Sequence, residues 1–146
     1  MIIKRLTKDL SVGSQPVPDE ISKLAREGFK AIICNRPDGE DQHQPAWAAL
    51  AETARRHGMQ ARHIPVVASK IGQADVGAFR DALLALPRPV AAFCRTGTRS
   101  TILWALANAS SLPADERIKV AAEAGYDLEP FRSRFEGSSS SNPIAV

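Results

Sequence analysis

The sequence predicts one α/β domain with a mostly parallel sheet flanked by helices. Two observations carry this. Short apolar runs of strand length alternate with stretches of helical periodicity along the chain. The segment Cys94-Arg95-Thr96-Gly97-Thr98-Arg99-Ser100 lies between the runs Val90-Ala91-Ala92-Phe93 and Ile102-Leu103-Trp104-Ala105-Leu106, a strand–loop–helix pattern. Parallel strands need crossover helices between them, and the alternation supplies those.

In chain order, the segment through Leu10-Ser11-Val12-Gly13 reads as one or two short strands. Pro18-Asp19-Glu20 starts a helix with Ile21, Leu24 and Ala25 on one face, and Gly28 fits its C′ position. Phe29 to Cys34 is a buried-strand run, followed by the polar loop Asn35-Arg36-Pro37-Asp38-Gly39-Glu40-Asp41. A helix from about Pro45 to His57 has Trp47, Leu50, Ala51 and Ala54 on one face and ends at Gly58. Gln60 to Val66 reads as a strand that turns at Pro65. The next helix, from about Asp75 to Leu86, carries Val76, Phe79, Leu83 and Leu86 inward. The strand ending at Cys94, the loop and a helix from Ser100 follow, with a last helix from Pro113 to Ala124 stopped by Gly125.

The chain has 146 residues, enough for a real core, and the expected domain spans 1–136. The tail Gly137-Ser138-Ser139-Ser140-Ser141-Asn142-Pro143 is low in complexity, so 137–146 reads as flexible. No apolar run reaches membrane-spanning length and no leader pattern opens the chain. Two cysteines do not make a disulfide scaffold, so a reducing cytoplasm is expected. A net charge of +3 on scattered basic residues argues against nucleic acid. Oligomeric state is not legible.

The chemistry concentrates at the cysteine loop. In a parallel sheet, ligands bind beyond the carboxyl ends of the strands. Cys94 and Cys34 both sit at such ends. A small-residue loop opening a helix turns its N–H groups inward as an anion cradle, aided by the helix dipole. Such a field favours thiolate over thiol in a cysteine placed there. Arg99 can present a planar fork to an oxyanion. Arg95, Thr96, Gly97 and Thr98 would line the substrate; for Arg95 a solvated side chain is an equal alternative. Ser100 can cap the helix, bond the Cys94 sulfur, or both.

On the rim of that site stands the Asn35–Asp41 loop. Arg36, Asp38 or Glu40 can contribute there, or the loop is merely solvated. His43, His57 and His63 show no metal spacing, and no metal or cofactor is implied. His63 ends a strand near the site. A structural histidine is the stronger reading, a proton donor the weaker. Trp47, Phe79 and Trp104 read as core.

The cysteine loop, the loop Arg36-Pro37-Asp38-Gly39-Glu40 and the order of elements resemble the beta-lactamase hydrolase-like family of phosphatase-like domains. That family lies within the protein tyrosine and dual-specificity phosphatase superfamily. The resemblance runs from about Ile3 to Gly125. It implies a protein tyrosine phosphatase-like fold with Cys94 as nucleophile, Arg99 as oxyanion-binding arginine and Ser100 as the hydroxyl that follows it. It also implies that the strands ending in Cys34 and Cys94 are neighbours, with Cys34 in the place of a redox partner; a core-filling cysteine is the alternative.

Three departures stand out. Phe93 occupies the position where the superfamily's phosphatases carry histidine. The loop from Cys94 to Arg99 is one residue shorter than theirs and has the length found in rhodanese sulfurtransferases. Where dual-specificity phosphatases place an aspartic acid before the cysteine, this chain reads Arg62-His63-Ile64-Pro65-Val66, and the next carboxylate, Asp75, looks like a helix cap. The expected function is therefore a cysteine-dependent phosphatase acting on a small oxyanion-bearing substrate. A Cys94 persulfide sulfurtransferase is the close alternative, and a low-turnover anion-binding regulatory module the third. His63, Asp38, Glu40 and Asp75 are the acid candidates if phosphate esters are cleaved.

Overall fold

The computed structural model describes residues 1–135, so position 136 of the expected domain and the Ser-rich tail 137–146 lie outside the described residues. Five strands form one sheet: β1 (Ile3–Arg5), β2 (Leu10–Gly13), β3 (Ala31–Cys34), β4 (Gln60–His63) and β5 (Val90–Phe93), in the order β1-β2-β5-β3-β4. Only β1 runs antiparallel, paired with β2; the β2–β5, β5–β3 and β3–β4 pairs are parallel. The crossovers are α1 (Pro18–Arg26), α2 (Trp47–Arg56) and α3 (Gln73–Ala85); α4 (Thr98–Ala107) and α5 (Ala114–Glu123) follow β5. The α/β fold class is as expected.

Period-2 alternation assigns each strand residue to a layer. Ala31 and Ile33 of β3, with Val90 and Ala92 of β5, enter the core that holds Phe79 of α3 and Ile102, Leu103 and Trp104 of α4. Ile32 and Cys34, with Ala91 and Phe93, enter the other core, against Ile21 and Leu24 of α1 and Leu50, Ala51 and Ala54 of α2. Both central strands are buried throughout, which is why they read as unbroken apolar runs. Trp47 is half-buried at the edge of the second core, so only Phe79 and Trp104 of the three aromatics are true core.

Boundaries shift where backbone chemistry overrides the apolar pattern. β4 ends at His63, before Pro65. α4 begins at Thr98, not Ser100, because Gly97 is its N-cap. A 3-10 turn at Ala68–Lys70, absent from the sequence reading, joins β4 to α3.

Candidate active site

Cys94 follows β5 directly and is 1 % exposed. Its N–H donates to the Gly13 carbonyl (3.3 Å), and the Arg95 carbonyl accepts from the Gln15 N–H (3.1 Å). These bonds fasten the loop to the end of β2. Gly97 then adopts φ +103°, a left-handed conformation that suits glycine. Its N–H donates to the Cys94 sulfur at 3.0 Å. The Thr101 N–H and hydroxyl both donate to the Gly97 carbonyl (3.0 and 2.8 Å) and close the first turn of α4. Burial of Ile102, Leu103, Trp104 and Ala105 fixes the helix, and with it the position of its N-terminus at the cysteine.

Arg99 does not hold its terminal fork free. Its Nη1 and Nη2 donate to the two Glu40 oxygens (2.7 and 2.8 Å), and Nη1 also donates to the Val66 carbonyl (3.0 Å). A guanidinium has five N–H donors. Those bonds leave Nε and the second Nη2 hydrogen, which together form the other bidentate edge. The Glu40 contact outweighs burial in pushing the Arg99 pKa up, and Cys94 adds to it. That edge is taken by neither Glu40 nor Val66, and Cys94 lies near enough to favour the charged guanidinium.

Glu40 also accepts from Arg36 Nε (2.9 Å), while Arg36 Nη1 donates to Gln15 Oε1 (3.1 Å). The Arg36 side chain is only 5 % exposed, so it belongs to a buried strut and not to a substrate-facing rim. The Arg99 contact first, and Arg36 after it, hold the Glu40 carboxyl down at about 2. A carboxyl that stays ionised to that pH is no acid near neutrality.

The remaining acid candidates are committed elsewhere. Asp38 Oδ1 accepts from the Trp47 N–H (2.8 Å), the first N–H of α2, which places this expected substrate contact at a helix terminus. Asp75 accepts from the Gly72 N–H (2.9 Å) at the start of α3, as its capping role predicts. His63 approaches the Arg36 carbonyl with Nε2 at 2.9 Å; a carbonyl only accepts, so Nε2 carries the proton. Its ring stacks on Trp47 with centroids 5.1 Å apart. The structural reading of His63 fits these contacts.

Ser100 serves neither expected role. It lies inside α4, and its hydroxyl donates to Asn35 Oδ1 (2.8 Å), not to sulfur. Asn35 in turn donates through Nδ2 to the Ile64 carbonyl (2.9 Å). Both residues are fully buried, and a buried amide needs such partners. Sequence reasoning passed over Asn35, Gln15 and Tyr126, whose hydroxyl donates to the Thr96 carbonyl (3.2 Å). No local pattern marks Gln15 or Tyr126. Arg95 is exposed within the loop.

Residues 3–111 match the family model described as beta-lactamase hydrolase-like protein, phosphatase-like domain. The chain is 35% identical over 130 residues to the beta-lactamase hydrolase-like protein of Xylella fastidiosa (strain Temecula1), covering 88% of this chain and 30% of that protein. The chain belongs to the phosphatase-like domain family of beta-lactamase hydrolase-like proteins.

This phosphatase-like domain spans about 30% of the length of those relatives. Its structure is also similar to that of a candidate phosphatase from Neisseria meningitidis, with 38% identity, a TM-score of 0.87, and 94% and 99% of the two chains covered. A kinase-associated phosphatase whose catalytic cysteine is replaced by serine shares the fold at 14% identity, with a TM-score of 0.73 over 91% and 88% of the chains. The protein tyrosine phosphatase-like fold follows. Among the described residues no group of three or more His, Cys, Asp or Glu is placed to hold a metal ion. No described helix is long and apolar enough to cross a membrane.

The Glu40 bridge gives this domain a definite acid response. Its folded carboxyl, held at about 2 against an ordinary 4.5, favours the folded state at pH above 4.5. That contribution is expected to disappear progressively as pH falls from 4.5 toward 2. Thermal melts across that window should show Glu40→Gln falling less steeply with acid than the wild type. Parallel curves would mean that the bridge does not form in solution.

Proposed function

We propose that the phosphatase-like domain hydrolyses phosphoesters through a phosphocysteine on Cys94. One observation carries the reading: a buried cysteine at a strand end receives the Gly97 N–H on its sulfur, beside a glutamate-anchored Arg99 whose second bidentate edge Glu40 leaves unused. In the first step the thiolate attacks phosphorus. An S–P bond forms, the P–O bond breaks, and its electron pair leaves on the ester oxygen. Charge on the equatorial oxygens is met by the loop N–H groups and by Nε and Nη2 of Arg99. In the second step water attacks phosphorus, the P–S bond breaks, and the thiolate is restored.

His63, Asp38, Glu40 and Asp75 all have other partners. The leaving oxygen therefore departs without a dedicated side-chain acid. This favours substrates with a weakly basic leaving group, such as nitrophenyl phosphates or acyl phosphates. The same observation supports a second reading. Thiosulfate releases sulfite without protonation, and the loop has rhodanese length. In that case Cys94 attacks the sulfane sulfur, the S–S bond breaks, and a thiol or cyanide removes the sulfur from the persulfide. Parallel assays with p-nitrophenyl phosphate and with thiosulfate plus cyanide decide between them. Phosphate release with no thiocyanate is expected. Thiocyanate alone would overturn the phosphatase reading, and neither product would leave an anion-binding module.

Cys34 remains a proposed redox partner. In the β3–β5 register it stands opposite Phe93, one residue before Cys94. That register sets the two cysteines at adjacent strand ends, one residue out of step. Burial pushes the Cys34 thiol up to about 12, and it donates to the Arg36 carbonyl (3.3 Å). It therefore traps a Cys94 sulfenic acid slowly, because thiolate is the attacking form. Mild peroxide followed by non-reducing peptide mapping should yield a Cys34–Cys94 peptide, with activity restored by dithiothreitol. Equal, irreversible loss in wild type and Cys34→Ser would dismiss the role.

A further inference from the structure

We propose that Tyr126 is a positioning residue, its hydroxyl tethering the Thr96 carbonyl outward so that the Gly97 N–H of the same peptide points at Cys94. The inference rests on the anion-loop reading of the site and adds a residue from beyond the matched span of 3–111.

A trans peptide is planar, and its C=O and N–H point in opposite directions. The Thr96 carbonyl accepts from the Tyr126 hydroxyl at 3.2 Å, and the Gly97 N–H donates to the Cys94 sulfur at 3.0 Å. One peptide plane thus carries both bonds. The preceding carbonyl, of Arg95, is held by the Gln15 N–H at 3.1 Å. Two successive carbonyls are tied by groups from other parts of the chain. A peptide next to glycine can turn over with little steric cost, since Gly97 tolerates φ of either sign. Turned over, this one would aim a carbonyl oxygen at the anion site and repel substrate.

Tyr126 suits the task. It follows the Gly125 turn that ends α5, and its N–H donates to the Ala121 carbonyl (2.9 Å), which fixes its backbone. Its ring lies so close to Gly97 that an added Cβ there would collide with the phenol oxygen. Burial, with Cys94 adding to it, raises the Tyr126 pKa, so the hydroxyl keeps the proton it donates.

The test uses inorganic tungstate as the anion probe. The 3.2 Å bond is long for a hydroxyl donor, so the expected effect of Tyr126→Phe is a three- to tenfold weaker tungstate Kd, about one modest hydrogen bond. Turnover, where measured, should fall by a similar factor in kcat/KM, and the Gly97 amide resonance should shift while the melting curve stays put. Phe keeps the ring, so a merely packing role would leave Kd unchanged, and that result overturns the inference. Tyr126 is the chain's only tyrosine, so 3-fluorotyrosine labels it alone. Its fluorine signal should move on tungstate addition with the same Kd; a static signal while tungstate binds overturns the inference even if the Phe variant does not fold. Wild type that binds tungstate but cleaves no phosphoester would defeat the proposed function and leave this tether standing. Wild type that binds no tungstate overturns the tether.

Discussion

Replacing Cys94 with serine is expected to lower turnover by about three orders of magnitude or more, the usual scale for loss of a covalent nucleophile. The substitution is nearly isosteric, and Cys94 lies fully buried after β5, so the fold should be kept. The Gly97 N–H finds a hydroxyl oxygen where it now finds sulfur. The loop amides and Arg99 are untouched, so Cys94→Ser should still bind tungstate within a few-fold of wild type. Steady-state phosphate release and tungstate calorimetry on the same preparations check both halves. Turnover near the wild-type rate would remove the covalent mechanism altogether. Lost binding together with lost turnover would mean that the sulfur holds the loop together and that its nucleophilic role is unproven.

Arg99→Lys is expected to cost about 100-fold in kcat/KM, the scale for removing one well-placed charge-stabilising donor group. Arginine here does two jobs at once. One edge grips both Glu40 oxygens, and on the proposed mechanism the other receives the substrate anion. A lysine ammonium is a point charge with no second edge. It either stays on Glu40 or turns toward the substrate. Arg95→Lys should cost only a few-fold, because Arg95 is exposed and its backbone carbonyl, not its side chain, fastens the loop. Michaelis–Menten parameters for both variants are the measurement. Equal, small effects would assign anion binding to the backbone amides.

Glu40 shows how near the sequence came to this arrangement. The loop Arg36-Pro37-Asp38-Gly39-Glu40 was identifiable as a rim element, but its three charged members read alike. In the structure they separate. Glu40 binds two arginines, Arg36 is buried behind it, and Asp38 leaves the site to cap α2 nine residues on. Which carboxylate meets which donor depends on the packing of β3, α2 and β5, and no spacing encodes that. Ser100 is a similar case. Its place after Arg99 suggested a sulfur contact, but it lies within the first turn of α4 and faces Asn35.

The alternation of strands and helices, the buried central strands and the cysteine loop that ends one of them are all legible in the residue order. Those features rest on local periodicity and on residue types that must follow one another along the chain. The partners of the site residues emerge only once the chain is packed, and packing sets each contact. It brought Glu40 to Arg99 across 59 residues and Tyr126 to Thr96 across 30. It also engaged every candidate acid elsewhere. The physical reason is that a hydrogen bond depends on positions in space. Residues distant along the chain acquire those positions only after both faces of the sheet have been covered and the helix ends fixed.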